Sequence, residues 1–176
     1  MMKDTGNLYT KRGTLNIRQA SPDDTQAFYG VLKNVSEWLD QQHSTQWVPS
    51  AHDNNISLVQ QIIQDGTCYV VEDNIQIIAT IRLNWELPYF WNRNLQNVGY
   101  ISTLYVHRNF AGNGIGVSMM NWAEHLIKSM DKEVSCLDCY AKSNPLCCYY
   151  EHIGYISVGE VETYPAYRQR LYEKQL

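Results

Sequence analysis

The chain has 176 residues, 44% of them hydrophobic and 18% charged, with a formal net charge of −4. That balance excludes an intrinsically disordered chain, and the length suits one domain that needs neither disulfides nor metal to fold. Fourteen Lys and Arg against eighteen Asp and Glu leave no basic stripe for a general nucleic-acid partner.

Residues 1–13 read as a flexible lead-in, and 14–176 as a single domain. Leu15, Ile17 and Gln19 alternate with polar residues, predicting a short strand. Ser21, Pro22, Asp23 and Asp24 form a helix start with Pro in the first turn. The pattern predicts a helix to about residue 32 and another over 36–41. Ile56, Val59, Gln60 and Ile63 mark a third amphipathic stretch, closed by Asp65 and Gly66. Two β-rich runs, 68–71 and 75–83, flank Glu72, Asp73 and Asn74 and predict a hairpin. Residues 85–97 are aromatic and turn-rich, an irregular loop. Strand 100–106, a glycine-rich turn over 111–116 and a helix over 117–130 follow. Strand 134–140, helix 145–152 with Gly154 as C-cap, and strands 155–161 and 167–172 complete the order. The fold class is α/β (α+β): a mixed sheet of about seven strands with helices on both faces.

No apolar run approaches the roughly 18–20 residues of a membrane span, and Met1 to Asn7 lacks the apolar stretch of a signal peptide. Five cysteines, an odd number, read as free thiols in a reducing cytosol. Cys136 and Cys139 have CxxC spacing, but in a strand such positions point to opposite faces. No metal site is expected, and neither a membrane nor nucleic acid is an expected partner.

The strongest chemical signal is the run from Leu104 to Gly116. A strand leads into Gly112, Gly114 and Gly116, which open a helix. Glycine permits positive φ and leaves no Cβ between chain and ligand. The first N–H groups of a helix lack internal partners and carry the positive end of its dipole. Together these make an anion site suited to a pyrophosphate. The spacing fits neither the dinucleotide fingerprint GxGxxG nor the P-loop, which needs Gly-Lys-Ser/Thr.

The segment resembles the acetyl-CoA motif of the GNAT N-acetyltransferase family, Arg/Gln-x-x-Gly-x-Gly/Ala after a strand. Gly114 and Gly116 fill its small positions, while Ala111 stands where Arg or Gln is usual. Arg108 is open to two readings, a compensating charge or a solvated surface residue. A second segment, residues 143–155, is similar to the family's Asn-x-x-Ala-x-x-hydrophobic-Tyr-Glu-x-x-Gly-Phe. Tyr150-Glu151 and Gly154-Tyr155 match it in spacing. The family's Asn falls on Ser143, with Asn144 one residue later.

The resemblance implies the GNAT fold, a mostly antiparallel sheet in which a splayed strand pair binds acetyl-CoA as acetyl donor. It implies cofactor contacts at Leu104, Tyr105 and Val106 for the pantetheine arm, and at Ala111, Gly112, Asn113, Gly114, Ile115 and Gly116 for the pyrophosphate. Asn144 joins them. A strand N–H facing the acetyl oxygen would act as an oxyanion donor. Tyr150 is the candidate general acid: an unperturbed phenol, pKa about 10, is protonated at neutral pH and can donate to a leaving thiolate. Tyr100 stands where many relatives carry a Glu. Glu37, Glu86 and Asp138 are possible bases, none of them assigned, while His107 and His152 flank the motifs, where a cap or surface role is as common. Trp38, Trp47, Trp85, Tyr89, Phe90 and Trp91 concentrate near the expected acceptor site, where aromatic rings can stack or surround a cation.

The expected activity is N-acetyl transfer to a primary amine of a small molecule or peptide, by a cytoplasmic monomer or homodimer. A catalytically inactive CoA-binding sensor and a plain interaction domain are the alternatives. Acetyl-CoA binding separates the last from the others, and turnover separates enzyme from sensor.

Overall fold

The structure is a computed structural model that describes residues 5–46, 56–93, 95–165 and 167–176. The chain folds as two compact units: Met1–Arg82 with Thr103–Trp122, and Leu83–Ser102 with Ala123–Leu176.

In the first unit, β1 (Gly6–Thr10) pairs antiparallel with β2 (Gly13–Gln19). Residues 1–13 were expected as a loose lead-in, and for Gly6–Thr10 that expectation is corrected. Leu8, 2% exposed, lies opposite Leu15. One apolar residue among polar neighbours gives no alternation to read; the partner strand makes the segment a strand. β2 continues antiparallel to β3 (Cys68–Asp73), and β3 to β4 (Gln76–Asn84).

A 3-10 turn, Pro22–Asp24, leads into α1 (Thr25–Gln41). The two helices expected over 22–32 and 36–41 are one. No Gly or Pro interrupts Lys33 to Ser36, and Asn34, which can end a helix, instead accepts the Arg108 N–H at 2.8 Å. α2 spans Ile56–Gln64. Phe28 and Val31 of α1, and Val59 and Ile63 of α2, bury against Cys68 and Val70 of β3. Tyr69, on the other face of β3, meets Trp122 of α3 (Ile115–Ser129) edge-on at 4.8 Å. Helices therefore cover both faces, as the strand's period of two requires. Full burial of each such apolar side chain stabilises the fold by about 1.5–3 kcal/mol.

Asp24 fixes the helix entry. It accepts the Ser21 N–H (2.7 Å) and two Arg18 N–H groups (2.7 and 2.9 Å), and Arg18 also reaches Glu72. The Arg18 hydrogen bond, against the cost of burial, lowers the Asp24 pKa to about 2.

In the second unit, Val98–Ile101 of β5 (Val98–Val106) pair in parallel with Val134–Leu137 of β6 (Val134–Tyr140). β8 (Tyr167–Gln175) runs antiparallel to β6 and forms a hairpin with β7 (Ile156–Tyr164). One face carries Val98, Tyr100, Cys136 and Leu171 against Trp91, which is 2% exposed in a 3-10 turn of the aromatic loop. The other face packs on α4 (Asn144–His152). There Cys139 Sγ lies 3.8 Å from Cys147 Sγ, and Ser135 Oγ 2.6 Å from the Tyr155 hydroxyl. Cys136 and Cys139 thus face opposite sides. Gly99 lets α3 approach: a Cβ there would stand 2.3 Å from Ile127 Cγ1.

The hydrogen-bonded strand order is β1-β2-β3-β4-β5-β6-β8-β7, a mixed and mostly antiparallel sheet. It holds eight strands where about seven were expected, β1 being the addition.

Candidate active site

β5 changes character as it approaches the glycine loop. Its residues up to Ile101 are buried and those from Ser102 onward half-buried. Thr103 has φ +54, a conformation that β-branched residues rarely adopt, and its carbonyl accepts the Thr80 hydroxyl at 3.1 Å. Leu104, Tyr105 and Val106 follow, with Tyr105 resting on the α1 and α2 core. The His107 N–H donates to Ile78 O at 2.9 Å.

After a 3-10 turn, Arg108–Phe110, Ala111 is extended. Gly112 and Gly114 both have φ +78, and nothing lies within 4 Å of a Cβ built on either. Asn113 pins the loop from within: its side-chain amide donates to Phe110 O (3.0 Å) and Ala111 O (3.1 Å). Its carbonyl accepts the Lys11 N–H at 3.0 Å. Ile115, 1% exposed, turns its side chain into the core, so only its main chain can face a ligand. Gly116 lies in the first turn of α3. The loop therefore presents open main chain at a helix N-terminus, which suits an anion.

Arg108 is half-buried and not a solvated surface residue. Its guanidinium carbon lies 3.6 Å from the centroid of the Trp38 ring, and its Nε is buried without a partner among the described residues.

In the second unit, Ser143 is the N-cap of α4 and half-buried, while Asn144 is exposed. Tyr150 is 7% exposed. Its ring meets Tyr149 and Tyr155 edge-on, at 5.1 and 6.1 Å, and Tyr172 at 6.0 Å. Facing the aromatic loop, the Tyr100 hydroxyl donates to Asp138 Oδ1. Burial pushes the Asp138 carboxyl up to about 6, with the Tyr100 hydrogen bond pulling the other way. Burial also raises the Tyr100 phenol, and the Asp138 charge adds to that rise.

Comparison with known proteins adds to this geometry. The model of the acetyltransferase (GNAT) family matches residues 32–155. The chain belongs to the GNAT family. It is 29% identical over 160 residues to a Bacillus subtilis (strain 168) protein named "Uncharacterized N-acetyltransferase YesJ", covering 88% of this chain and 86% of that protein. A GNAT-family acetyltransferase from Listeria monocytogenes 4b F2365 superposes with a TM-score of 0.79 at 22% identity, over 97% of this chain and 100% of that one. The PaiA N-acetyltransferase of Thermoplasma acidophilum, in complex with coenzyme A, gives 0.66 at 14%, over 92% and 99%. These two likenesses carry the fold, the GNAT fold.

The other expected GNAT residues scatter. Glu37 is exposed and lies 3.8 Å from Lys33, while Glu86 and His152 face solvent. His107 Nδ1 accepts the Asn109 N–H at 3.3 Å. Among the aromatics, Trp38 carries Arg108, Trp91 is core, Trp85 and Phe90 are half-buried, and Tyr89 is 88% exposed. Trp47 lies outside the described residues. No helix among the described residues is long and apolar enough to cross a membrane.

Proposed function

We propose that this GNAT protein transfers the acetyl group of acetyl-CoA to a primary amine of a small molecule or peptide by direct attack on the thioester. The observation that carries the reading is the loop at the start of α3. Two glycines at φ +78 with open space beside them fit a pyrophosphate held by main-chain N–H groups. Ala111, Asn113, Ile115 and Gly116 complete that main chain, which is why Ala111 does not break the site. Leu104, Tyr105 and Val106 supply strand N–H and carbonyl groups to the pantetheine arm, and Asn144 or Ser143 adds a side-chain contact. A main-chain N–H on this strand serves as the oxyanion donor. Tyr150 is the general acid that protonates the leaving thiolate. The chain works in the cytosol, with its thiols reduced.

The test joins binding to turnover. Acetyl-CoA is titrated calorimetrically into wild type and Gly114→Val, and a panel of primary amines is assayed with acetyl-CoA by release of free thiol. Gly114 has φ +78, which a branched residue adopts only with strain, and the valyl side chain would fill the anion site. The variant is expected to stay folded and lose acetyl-CoA binding. Unchanged affinity would overturn the loop assignment, and tight binding with no turnover on any amine would leave a sensor in place of an enzyme.

A further inference from the structure

The second unit holds a half-buried carboxyl, Asp138, to which the proposed function gives no task. Asp138 is the residue on β6 immediately after the last β5–β6 pair, Ile101 with Leu137. It therefore sits where the parallel ladder ends. Among the described residues Tyr100 is the one hydrogen-bond donor to it, on Oδ1, which leaves Oδ2 for another partner. Tyr140, two residues further along the same face of β6, stacks on Tyr167 at 5.0 Å. Burial raises the Tyr167 phenol and the Asp138 charge adds to that rise, so that ring is a neighbour of the carboxyl. Gln169, opposite Tyr140 in the register, has a buried Oε1 with no partner among the described residues, as has Trp91 Nε1. A carboxylate among aromatic rings suits an ammonium group.

We propose that Asp138 is the catalytic base of the acetyl transfer, receiving the acceptor's ammonium on Oδ2 while Tyr100 positions the carboxylate. The inference rests on the acetyltransferase reading and deepens it, naming a cationic primary amine as the form in which the acceptor binds. The N–H bond breaks with its electron pair left on nitrogen, and the proton bonds to Asp138. The freed pair forms the N–C bond to the thioester carbonyl, and the C–S bond breaks with its pair on sulfur. Two protons leave nitrogen in all. Asp138 returns one to solvent, and the other replaces the proton that Tyr150 gives to sulfur.

The placement of the two groups fits that sequence. Tyr150 packs on the α4 side of this sheet, beside Tyr155 and Tyr172. Asp138 and Tyr100 belong to the opposite side, yet Tyr150 lies near enough to add to the rise of the Tyr100 phenol. Proton removal and proton supply thus flank the end of the β5–β6 ladder. The carboxyl, pushed up to about 6, is ionised at neutral pH and close enough to it to be an effective base. Among the described residues its charge also reaches Cys139 and Tyr167. Arg170, on the neighbouring position of β8, is engaged with Glu160 at 2.9 Å, and Arg93 with Glu173.

The experiment measures kcat/KM from pH 5 to 9 with the best amine of the panel for wild type, Asp138→Asn, Asp138→Glu and Tyr100→Phe, with acetyl-CoA affinity by calorimetry. Wild type should gain rate through a limb near pH 6. Asp138→Asn should lose that limb and about a hundredfold or more in kcat/KM, the usual range for an acid–base group, with acetyl-CoA affinity unchanged. Asp138→Glu should recover part of the rate. In Tyr100→Phe the limb should move to higher pH, because the lost hydrogen bond favoured the carboxylate. A purely structural Asp138 would move stability and leave the limb in place. An Asp138→Asn enzyme that keeps both limb and rate overturns the proposal, as does an unmoved limb in Tyr100→Phe should the Asn variant not fold. In both cases active wild type keeps the acetyltransferase reading. Wild type that binds acetyl-CoA and acetylates no amine overturns that reading and the proposal with it.

Discussion

The Arg108 guanidinium carbon lies 3.6 Å from the centroid of the Trp38 ring, and this stack ties α1 to the turn that precedes the glycine loop. The Arg108 N–H reinforces it by donating to Asn34 Oδ1 at 2.8 Å. Asn34 and Trp38 are four residues apart and share one helix face.

The stack makes Trp38→Ala destabilising. Removing the ring leaves a guanidinium with a buried Nε and no face to rest on. A desolvated cation–π contact of this kind is worth about 2 kcal/mol, and the lost ring contacts add to it. Urea denaturation should show that loss, with Trp38→Phe recovering part of it. Arg108→Ala should cost a similar amount of stability and leave acetyl-CoA affinity unchanged, since the charge is directed at Trp38. A large fall in acetyl-CoA affinity with unchanged stability would instead support the compensating-charge reading.

Most of the strands and helices were legible because their signals are local. Pro22 and the acids after it mark the entry to α1, and Gly112, Gly114 and Gly116 mark the entry to α3. Continuous β-rich runs mark β3 and β4. What stayed hidden depends on partners distant in the chain. β1 exists because Leu8 meets Leu15. The Tyr100–Asp138 bond joins residues 38 apart, a pairing that no local spacing encodes. Thr103 at φ +54 has no residue-type signal, since threonine disfavours that region; the strand around it imposes the conformation. The division into two units was illegible too, for its boundaries fall inside β4, β5 and α3.

The Arg18–Asp24 pair sets an acid dependence of stability. Asp24 is 8% exposed and held at about 2, below its ordinary value. A depressed folded-state pKa means that the native state binds fewer protons than the unfolded one below about pH 4. The stabilisation is complete above the unfolded value of about 3.9 and is lost as pH falls through about 2. Two pKa units correspond to on the order of 2–3 kcal/mol. Chemical denaturation at steps from pH 5 to pH 2 should show that loss in wild type. Asp24→Asn should be less stable at pH 5 and show a flatter profile below it. Parallel profiles would mean that Asp24 is not the group responsible.

Tyr150→Phe separates packing from chemistry. The variant keeps the ring, and with it the contacts to Tyr149, Tyr155 and Tyr172, so folding and acetyl-CoA affinity should hold. Only the hydroxyl is lost. If it protonates the departing thiolate, the effect belongs in kcat, where acid–base groups contribute about 10²–10⁴-fold. A loss toward the lower end is expected, because the CoA thiolate is already a fair leaving group. Tyr149→Phe is the matched control. The Tyr149 hydroxyl is buried and makes no hydrogen bond among the described residues, so its removal relieves a desolvated polar group and should leave kcat unchanged. Steady-state rates from pH 6 to 9 decide between the two tyrosines. A Tyr150→Phe enzyme as fast as wild type across that range would reduce Tyr150 to packing and leave the thiolate to be protonated by solvent.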